Sequence, residues 1–373
     1  MDAVFVKNRA DLRTKLEDSL KTAEEEGEDE FQTDKRPKSY IVESNLGLNT
    51  QLDKEMPLRY SLTETEDSTL KIFRMKLTTR SGVKEATFYL DVSDERFWIL
   101  HSLDSSNTCT DLIYKLVTFN PSFLDFPWFY SKKLEEISHF GKETGFSLRF
   151  NNRFLDESDE EYEEKLRKIS MRFWGGQAEK VINHLKDSPS IAQGVSLSNV
   201  GLRYRTELGS IKTNISTTGK FVVMKGDSID SYFNLINKVK NNYKSFLIDL
   251  EKKCRIDYKQ GKNGFELIGG YSIIDFEKEI EDLSRFTEIL TSCSTHFRLW
   301  GVWNFIEKDY VKINAIDLHT NHKIDIELSP NWMRLFLPNE SCGNVISRLF
   351  TNLQSCFDSK IRLTTNENEK IIK

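Results

Sequence analysis

The densest group of polar residues that could do chemistry lies between Asp317 and Glu327. Alternation of polar and apolar residues from Lys323 onward predicts a strand that turns Asp325 and Glu327 to one side, while Asp317 ends the preceding strand of the same hairpin. Mg²⁺ prefers oxygen ligands, so Asp317, Asp325 and Glu327 are the catalytic residues of one alternative interpretation, a metal-dependent nuclease. The same pattern is typical of a solvent-facing strand. We favour that interpretation and assign no catalytic residue and no metal site.

A second group of residues carries positive charge. Residues 200–262 contain 13 Lys or Arg and six acids, although the net charge of the whole chain is −5. Lys and Arg neutralise phosphates, and a Tyr ring can stack on a base. The residues that we expect to bind nucleic acid, DNA or RNA, are Arg203, Arg205, Lys252, Lys253, Arg255, Tyr258, Lys259 and Lys262. The alternative is structural, because cations at the C-terminal end of a helix also stabilise its dipole.

The N-terminal segment predicts a helix with a narrow apolar stripe. Leu12, Leu16 and Leu20 are spaced four residues apart, which places them on one face. An acidic run follows at residues 24–30 and predicts a solvated linker. A short helix is marginal in water when alone, so the stripe must be covered by its own domain or by another chain. We expect it to lie outside both cores and to bind a protein partner or a second copy of the chain.

The elements that must position these residues are strands and helices in a recurring order. Three times, a strand ends in a polar helix-start signal and is followed by a helix: after Trp98, after Phe221 and after Trp332. The sequence therefore predicts an α+β fold, rich in antiparallel strands and built from β-meander-plus-helix units.

Composition predicts where the chain divides. We expect an N-terminal helix and acidic linker over residues 1–40, an α+β domain over 41–188 and a second α+β domain over 189–373. Within the first domain, Leu166, Ile169 and Phe173 follow a helical spacing and predict a helix.

Several classes of function are excluded by missing motifs. The chain contains no GxxxxGK[ST] loop, no GxGxxG after a strand, no HExxH and no GxSxG, so we predict no cofactor. Its five cysteines form no CxxC pair, which argues against a disulfide framework and a cysteine zinc site. No apolar run approaches the roughly 18 residues of a membrane span. We therefore expect a soluble cytoplasmic protein without a membrane partner.

These observations lead to a hypothesis about function. We expect a non-catalytic intracellular subunit of a larger assembly that binds nucleic acid, docks a protein partner or does both. Large α+β chains without catalytic motifs are frequent in prokaryotic antiviral defence, and that setting is part of the hypothesis. The alternatives are the metal-dependent nuclease and a purely structural scaffold subunit.

Overall fold

The structure, a computed structural model, describes residues 6–25, 36–46, 57–80, 82–155, 166–188, 191–261, 264–367 and 369–372. The chain divides into two compact units. Unit 1 consists of Met1–Pro127, Glu136–Thr144 and Val200–Asn241, and unit 2 consists of Trp128–Glu135, Gly145–Asn199 and Asn242–Lys373. Much of the predicted acidic linker and Lys262 lie outside the described residues.

The described residues form seven α-helices, one short 3₁₀ helix and nineteen strands, consistent with the predicted α+β class. The helices are α1 (Arg9–Glu25), α2 (Ser106–Phe119), α3 (Ser131–Ser138), α4 (Ala178–Asp187), α5 (Ile229–Cys254), α6 (Leu283–Thr291) and α7 (Asn344–Cys356), and the 3₁₀ helix is Ala192–Gly194. The first eleven strands are β1 (Lys38–Ser44), β2 (Leu58–Glu64), β3 (Leu70–Thr79), β4 (Gly82–Asp91), β5 (Phe97–Ser102), β6 (Leu124–Asp125), β7 (Lys142–Asn151), β8 (Lys168–Trp174), β9 (Leu197–Thr206), β10 (Gly209–Ser216) and β11 (Lys220–Gly226). The remaining strands are β12 (Arg255–Gly261), β13 (Gly264–Gly269), β14 (Ser272–Asp275), β15 (Leu299–Glu307), β16 (Tyr310–Asp317), β17 (Lys323–Ser329), β18 (Trp332–Pro338) and β19 (Arg362–Thr365).

Unit 1 is a sheet covered by a helix on each face. Its strands follow the order β2-β3-β4-β5-β1-β11-β10-β9, so β1 lies between β5 and β11. Ser39 of β1 accepts a hydrogen bond from the Tyr232 hydroxyl of α5 at 2.9 Å, whereas the next residue, Tyr40, makes a 3.3 Å hydroxyl contact with Thr110 of α2. Successive side chains of a strand point to opposite faces, so α5 and α2 cover opposite sides of β1. Every residue of β1 is accordingly buried.

Unit 2 is built on a second sheet with strand order β13-β12-β18-β17-β16-β15. A further strand, β14, pairs with β18 and with β19. Helix α7 is buried along almost its whole length. A cluster of rings that includes Phe154, Phe286 and Phe357 fills the core beside α6, with the centroids of Phe154 and Phe286 4.4 Å apart.

The predicted β-meander-plus-helix units are confirmed. Strands β2 to β5 are followed by α2, strands β9 to β11 by α5, and strands β15 to β18 by α7. Each meander is a row of sequential neighbours, which needs only short turns. Their recurrence explains why the same strand-to-helix signal appears three times in the sequence.

Two expectations about the N-terminal half are wrong. The helix expected across Leu166 to Phe173 is instead strand β8, which pairs in antiparallel register with β7. The stripe of Leu12, Leu16 and Leu20 does not stand apart from the cores, because all three residues are buried within unit 1. Salt bridges from α1 to the same unit, between Arg9 and Asp91 and between Arg13 and Asp230, accompany this burial.

The two compact units also differ from the predicted segments 41–188 and 189–373. Each unit combines three separate stretches of chain, because α3, β7, β9 and α5 each contribute residues to both. No helix in the described ranges is long and apolar enough to cross a bilayer.

Candidate nucleic-acid interface

Four cations share one face of unit 1, and we call them the basic face: Arg203 and Arg205 on β9, Lys212 on β10 and Lys225 on β11. The face of β9 follows from contacts to α5. The Lys238 ammonium lies 5.7 Å from the centre of the Tyr204 ring. Alternation therefore turns Arg203 and Arg205 to the side opposite α5.

The pairing of β10 and β11 places the lysines on that same side. Phe221 lies opposite both Ser39 and Ile215, so all three face α5. Between Thr213 and Lys212 the register with β11 shifts, so Lys212 lies directly opposite Lys225. Alternation along β10 turns Lys212, and Lys225 with it, to the face away from α5. Strands β9, β10 and β11 are neighbours, so the four cations lie on one face of three adjacent strands.

Like charges that face each other across a sheet destabilise it, and an anion relieves that cost. Arg203, Arg205 and Lys225 are exposed, and Lys212 is half-buried. Within the described ranges, Arg203, Arg205 and Lys225 have no hydrogen bond or ion pair through their side chains. These three side chains are therefore available to bind an anion.

Other cations of residues 200–241 are already occupied. Lys220 donates hydrogen bonds to Ser106 and Thr110 at 2.8 and 2.7 Å, and its burial lowers the pKa of this ammonium. Lys240 lies 3.5 Å from the carboxylate of Asp94. Lys238 is exposed, but its ammonium lies 4.4 Å from the centre of the Phe140 ring. Among the described cations of this segment, Arg203, Arg205 and Lys225 are therefore the exposed ones without such a contact.

The remaining residues predicted to bind nucleic acid belong to unit 2. Lys253 forms a 2.8 Å salt bridge with Glu369, and Arg255 forms one of 3.2 Å with Glu251, so part of this charge is neutralised. Lys252 lies in the last turn of α5, where a cation stabilises the helix dipole. Tyr258 is 68% exposed. Its neighbour Lys259 lies directly opposite Glu266 in the register of the β12–β13 hairpin.

Sequence reasoning did not single out Lys212 and Lys225. Both belong to the basic stretch 200–262, but the sequence pattern does not predict strand β10. Without β10 and its pairing to β11, no periodicity in the sequence connects these lysines with Arg203 and Arg205. Their shared face is a product of strand order.

The three carboxylates of the nuclease interpretation are not brought together. Asp317 is buried and forms a salt bridge with Arg348. Asp325 is exposed and accepts a 2.7 Å hydrogen bond from the Asn314 side chain, while Glu327 carries a 3.3 Å salt bridge to Arg334. Asp317 shares the buried face of β16, whereas Asp325 and Glu327 lie on the opposite, solvent-facing side of the sheet.

A serine–histidine contact in unit 1 has the geometry of a nucleophile and its base. The Ser39 hydroxyl lies 2.7 Å from Nδ1 of His101. Both residues are buried, and burial lowers the pKa of His101 to about 4. Catalysis requires a substrate to reach the nucleophile. The contact therefore acts as a polar link within the core, between β1 and β5.

Comparison with known proteins adds a family to this geometry. The family model described as MJECL33-like protein matches residues 1–372. The chain belongs to the MJECL33-like family. A relative from Methanocaldococcus jannaschii, the uncharacterized protein MJECL33, is 30% identical over 312 residues, which cover 74% of this chain and 75% of the relative. The MJECL33-like match includes both compact units, and neither name states an activity.

Proposed function

We propose that this MJECL33-like chain is a non-catalytic subunit that binds the phosphate backbone of nucleic acid at the basic face of unit 1. The observation that carries the proposal is that Arg203, Arg205 and Lys225 are exposed on one face of unit 1, where their side chains have no hydrogen bond or ion pair within the described residues. An exposed row of like charges is costly unless an anion binds to it. A polyanion with regularly spaced phosphates fits such a row.

The type of contact follows from the side chains on this face. Arg guanidinium groups bind phosphate oxygens in a bidentate manner, and Lys adds a point charge. The positions of β10 that share the face with Lys212 are Ser210, Asn214 and Ser216, which are polar and offer no ring for stacking. We therefore expect backbone contacts with little sequence preference.

A non-catalytic role is supported by the arrangement of the candidate carboxylates. Asp317 lies on the opposite side of its sheet from Asp325 and Glu327, which does not suit a shared Mg²⁺ ion. Membership of a larger assembly, a cytoplasmic location and a setting in prokaryotic antiviral defence belong to the same proposal. Identification of the proteins that co-purify with the tagged chain tests the assembly.

The central experiment measures binding of a fluorescent 30-nucleotide DNA or RNA by anisotropy over a range of salt concentrations. Three phosphate contacts predict a slope of log K against log salt of about −2.7 on duplex DNA, or a loss of affinity of about 40-fold between 50 and 200 mM salt. The triple variant Arg203→Glu, Arg205→Glu and Lys225→Glu should lose most of this affinity and most of the slope.

A matched control changes the net charge equally at other exposed cations of unit 1: Arg59→Glu, Arg74→Glu and Arg80→Glu. This variant should bind nearly as well as the wild type at 100 mM salt. Equal losses in the two triple variants would mean that only net charge matters, and the basic face would then be discarded as the interface. Lys252→Glu with Lys259→Glu tests the unit 2 residues in the same assay.

A further inference from the structure

Among the residues that the structure describes, no strand pairs with one edge of β15 of unit 2 over most of its length. It is the last strand in the sheet order and pairs along its other edge with β16. At its N-terminal end, the Leu299 carbonyl accepts a 3.0 Å hydrogen bond from the Cys293 amide, and Ser292 forms a bridge with Trp300. Backbone groups alternate in direction along a strand. The amides and carbonyls of Trp303 and Phe305 therefore point to the same edge as the Leu299 carbonyl.

This edge is apolar on both faces. Five large apolar side chains are exposed along it: Trp300 at 52%, Val302 at 61%, Trp303 at 37%, Phe305 at 38% and Ile306 at 51%. Exposed, apolar edge strands pair with other strands unless charge or proline blocks them. From Trp300 to Ile306 the sequence contains neither a charged residue nor a proline.

We propose that this edge binds the same edge of a second copy of the chain, so that two β15 strands pair in antiparallel orientation about a two-fold axis. The backbone fixes the register. With the axis at Asn304, Trp303 of one copy lies opposite Phe305 of the other. These two residues form main-chain hydrogen bonds through the amide and carbonyl groups that point away from β16. The paired stretch then ends before Trp300, which already forms a bridge with Ser292.

The side chains favour the same arrangement. The rings of Trp303 and Phe305 already contact each other edge to face, with centroids 5.8 Å apart, and pairing brings four such rings together. The charged residues Glu307 and Lys308 follow the apolar stretch. In antiparallel pairing, the two copies of these charges lie at opposite ends, roughly 20 Å apart at about 3.4 Å per residue.

The exposed area suits a weak, reversible dimer. At about 200 Å² for each large side chain, the exposed fractions of Val302, Trp303, Phe305 and Ile306 correspond to on the order of 400 Å² per copy. Two copies bury on the order of 800 Å², which lies in the range of weak interfaces that form at micromolar concentrations. Four main-chain hydrogen bonds add directional specificity.

The test begins with the mass of the full chain in solution, measured by light scattering at 5 to 100 μM in nuclease-treated samples. The wild type should be a dimer at the upper concentrations. Trp303→Lys with Phe305→Lys should weaken dimerisation at least tenfold, while its circular dichroism and melting temperature stay close to those of the wild type. The matched control, Tyr258→Lys with Ile268→Lys, also replaces two exposed apolar residues of unit 2 and should remain dimeric.

Cysteine cross-linking tests the register and keeps the proposal falsifiable if the lysine variant fails to fold. Non-hydrogen-bonded pairs have Cα atoms about 4.5 Å apart, within the range of a disulfide. In a background with the exposed Cys293→Ser, Asn304→Cys should therefore form a disulfide across the axis on oxidation. Val302→Cys should not, because its copies lie about four residues apart. A monomeric wild type at 100 μM, a dimeric lysine variant or equal cross-linking of the two cysteine variants would overturn the proposal. Each readout is independent of nucleic-acid binding.

Discussion

Replacement of Arg348 by Met should destabilise unit 2 strongly. Arg348 has no exposed side-chain area, Asp317 has 1%, and the two form a salt bridge. The Arg348 Nε also donates a 2.9 Å hydrogen bond to the Phe297 carbonyl. Removal of the cation leaves the Asp317 carboxylate buried without its counter-ion, and such changes cost about 3–5 kcal/mol of unfolding free energy.

This cost corresponds to a fall in melting temperature of about 6–20 °C for a unit of this size, measured by circular dichroism. The double variant Arg348→Met with Asp317→Asn removes both charges. Its loss of unfolding free energy should be smaller than the sum of the two single losses by at least ~1 kcal/mol. Arg362→Met is the control, because its salt bridge to Glu277 is exposed and should contribute less than about 1 kcal/mol. A melting temperature of Arg348→Met within 2 °C of the wild type would refute the reasoning.

Two other predictions concern unit 1. Leu16→Ala should cost about 2–5 kcal/mol in urea unfolding because the side chain is fully buried, whereas Leu208→Ala, at a position 60% exposed, should change stability by less than about 0.5 kcal/mol; equal effects would contradict the packing of α1. Burial lowers the pKa of His101 to about 4, so as the pH falls from about 6.5 towards 4 the unfolded chain binds this proton first and the wild type loses stability. His101→Gln should flatten the dependence of melting temperature on pH in that window, and an unchanged dependence would count against this assignment.

Much of the fold could be predicted because its signals are local. Polar residues such as Asp104 and Ser105 after a strand predict the start of a helix, and α2 follows as expected. The helix expected at Leu166 to Phe173 failed for the opposite reason. Strand β8 is defined by its pairing with β7, and stacking of Phe173 on Phe146 at 5.8 Å supports it. Such distant contacts override local spacing.

The candidate site was predicted only in part. Only Tyr204 separates Arg203 from Arg205, so the alternation of side chains along a strand predicts that both arginines lie on one face. Lys212 and Lys225 join them through strand order, which the sequence pattern does not encode. The stripe of α1 shows the same limit, because periodicity reveals an apolar face such as that of Leu16 without identifying what covers it.

The position of β1 at the centre of unit 1 has a consequence for synthesis of the protein. Lys38 pairs with Val222, so one edge of this central strand finds its partner only after roughly 180 further residues have been translated. At 5–20 residues per second, translation of these residues takes on the order of 10–40 s. During that time one edge of β1, a strand that is buried in the folded protein, has no hydrogen-bonded partner. Such long-range closure slows folding and exposes the strand to misassociation. Efficient production of this chain should therefore depend on chaperone protection of its first 220 or so residues during translation.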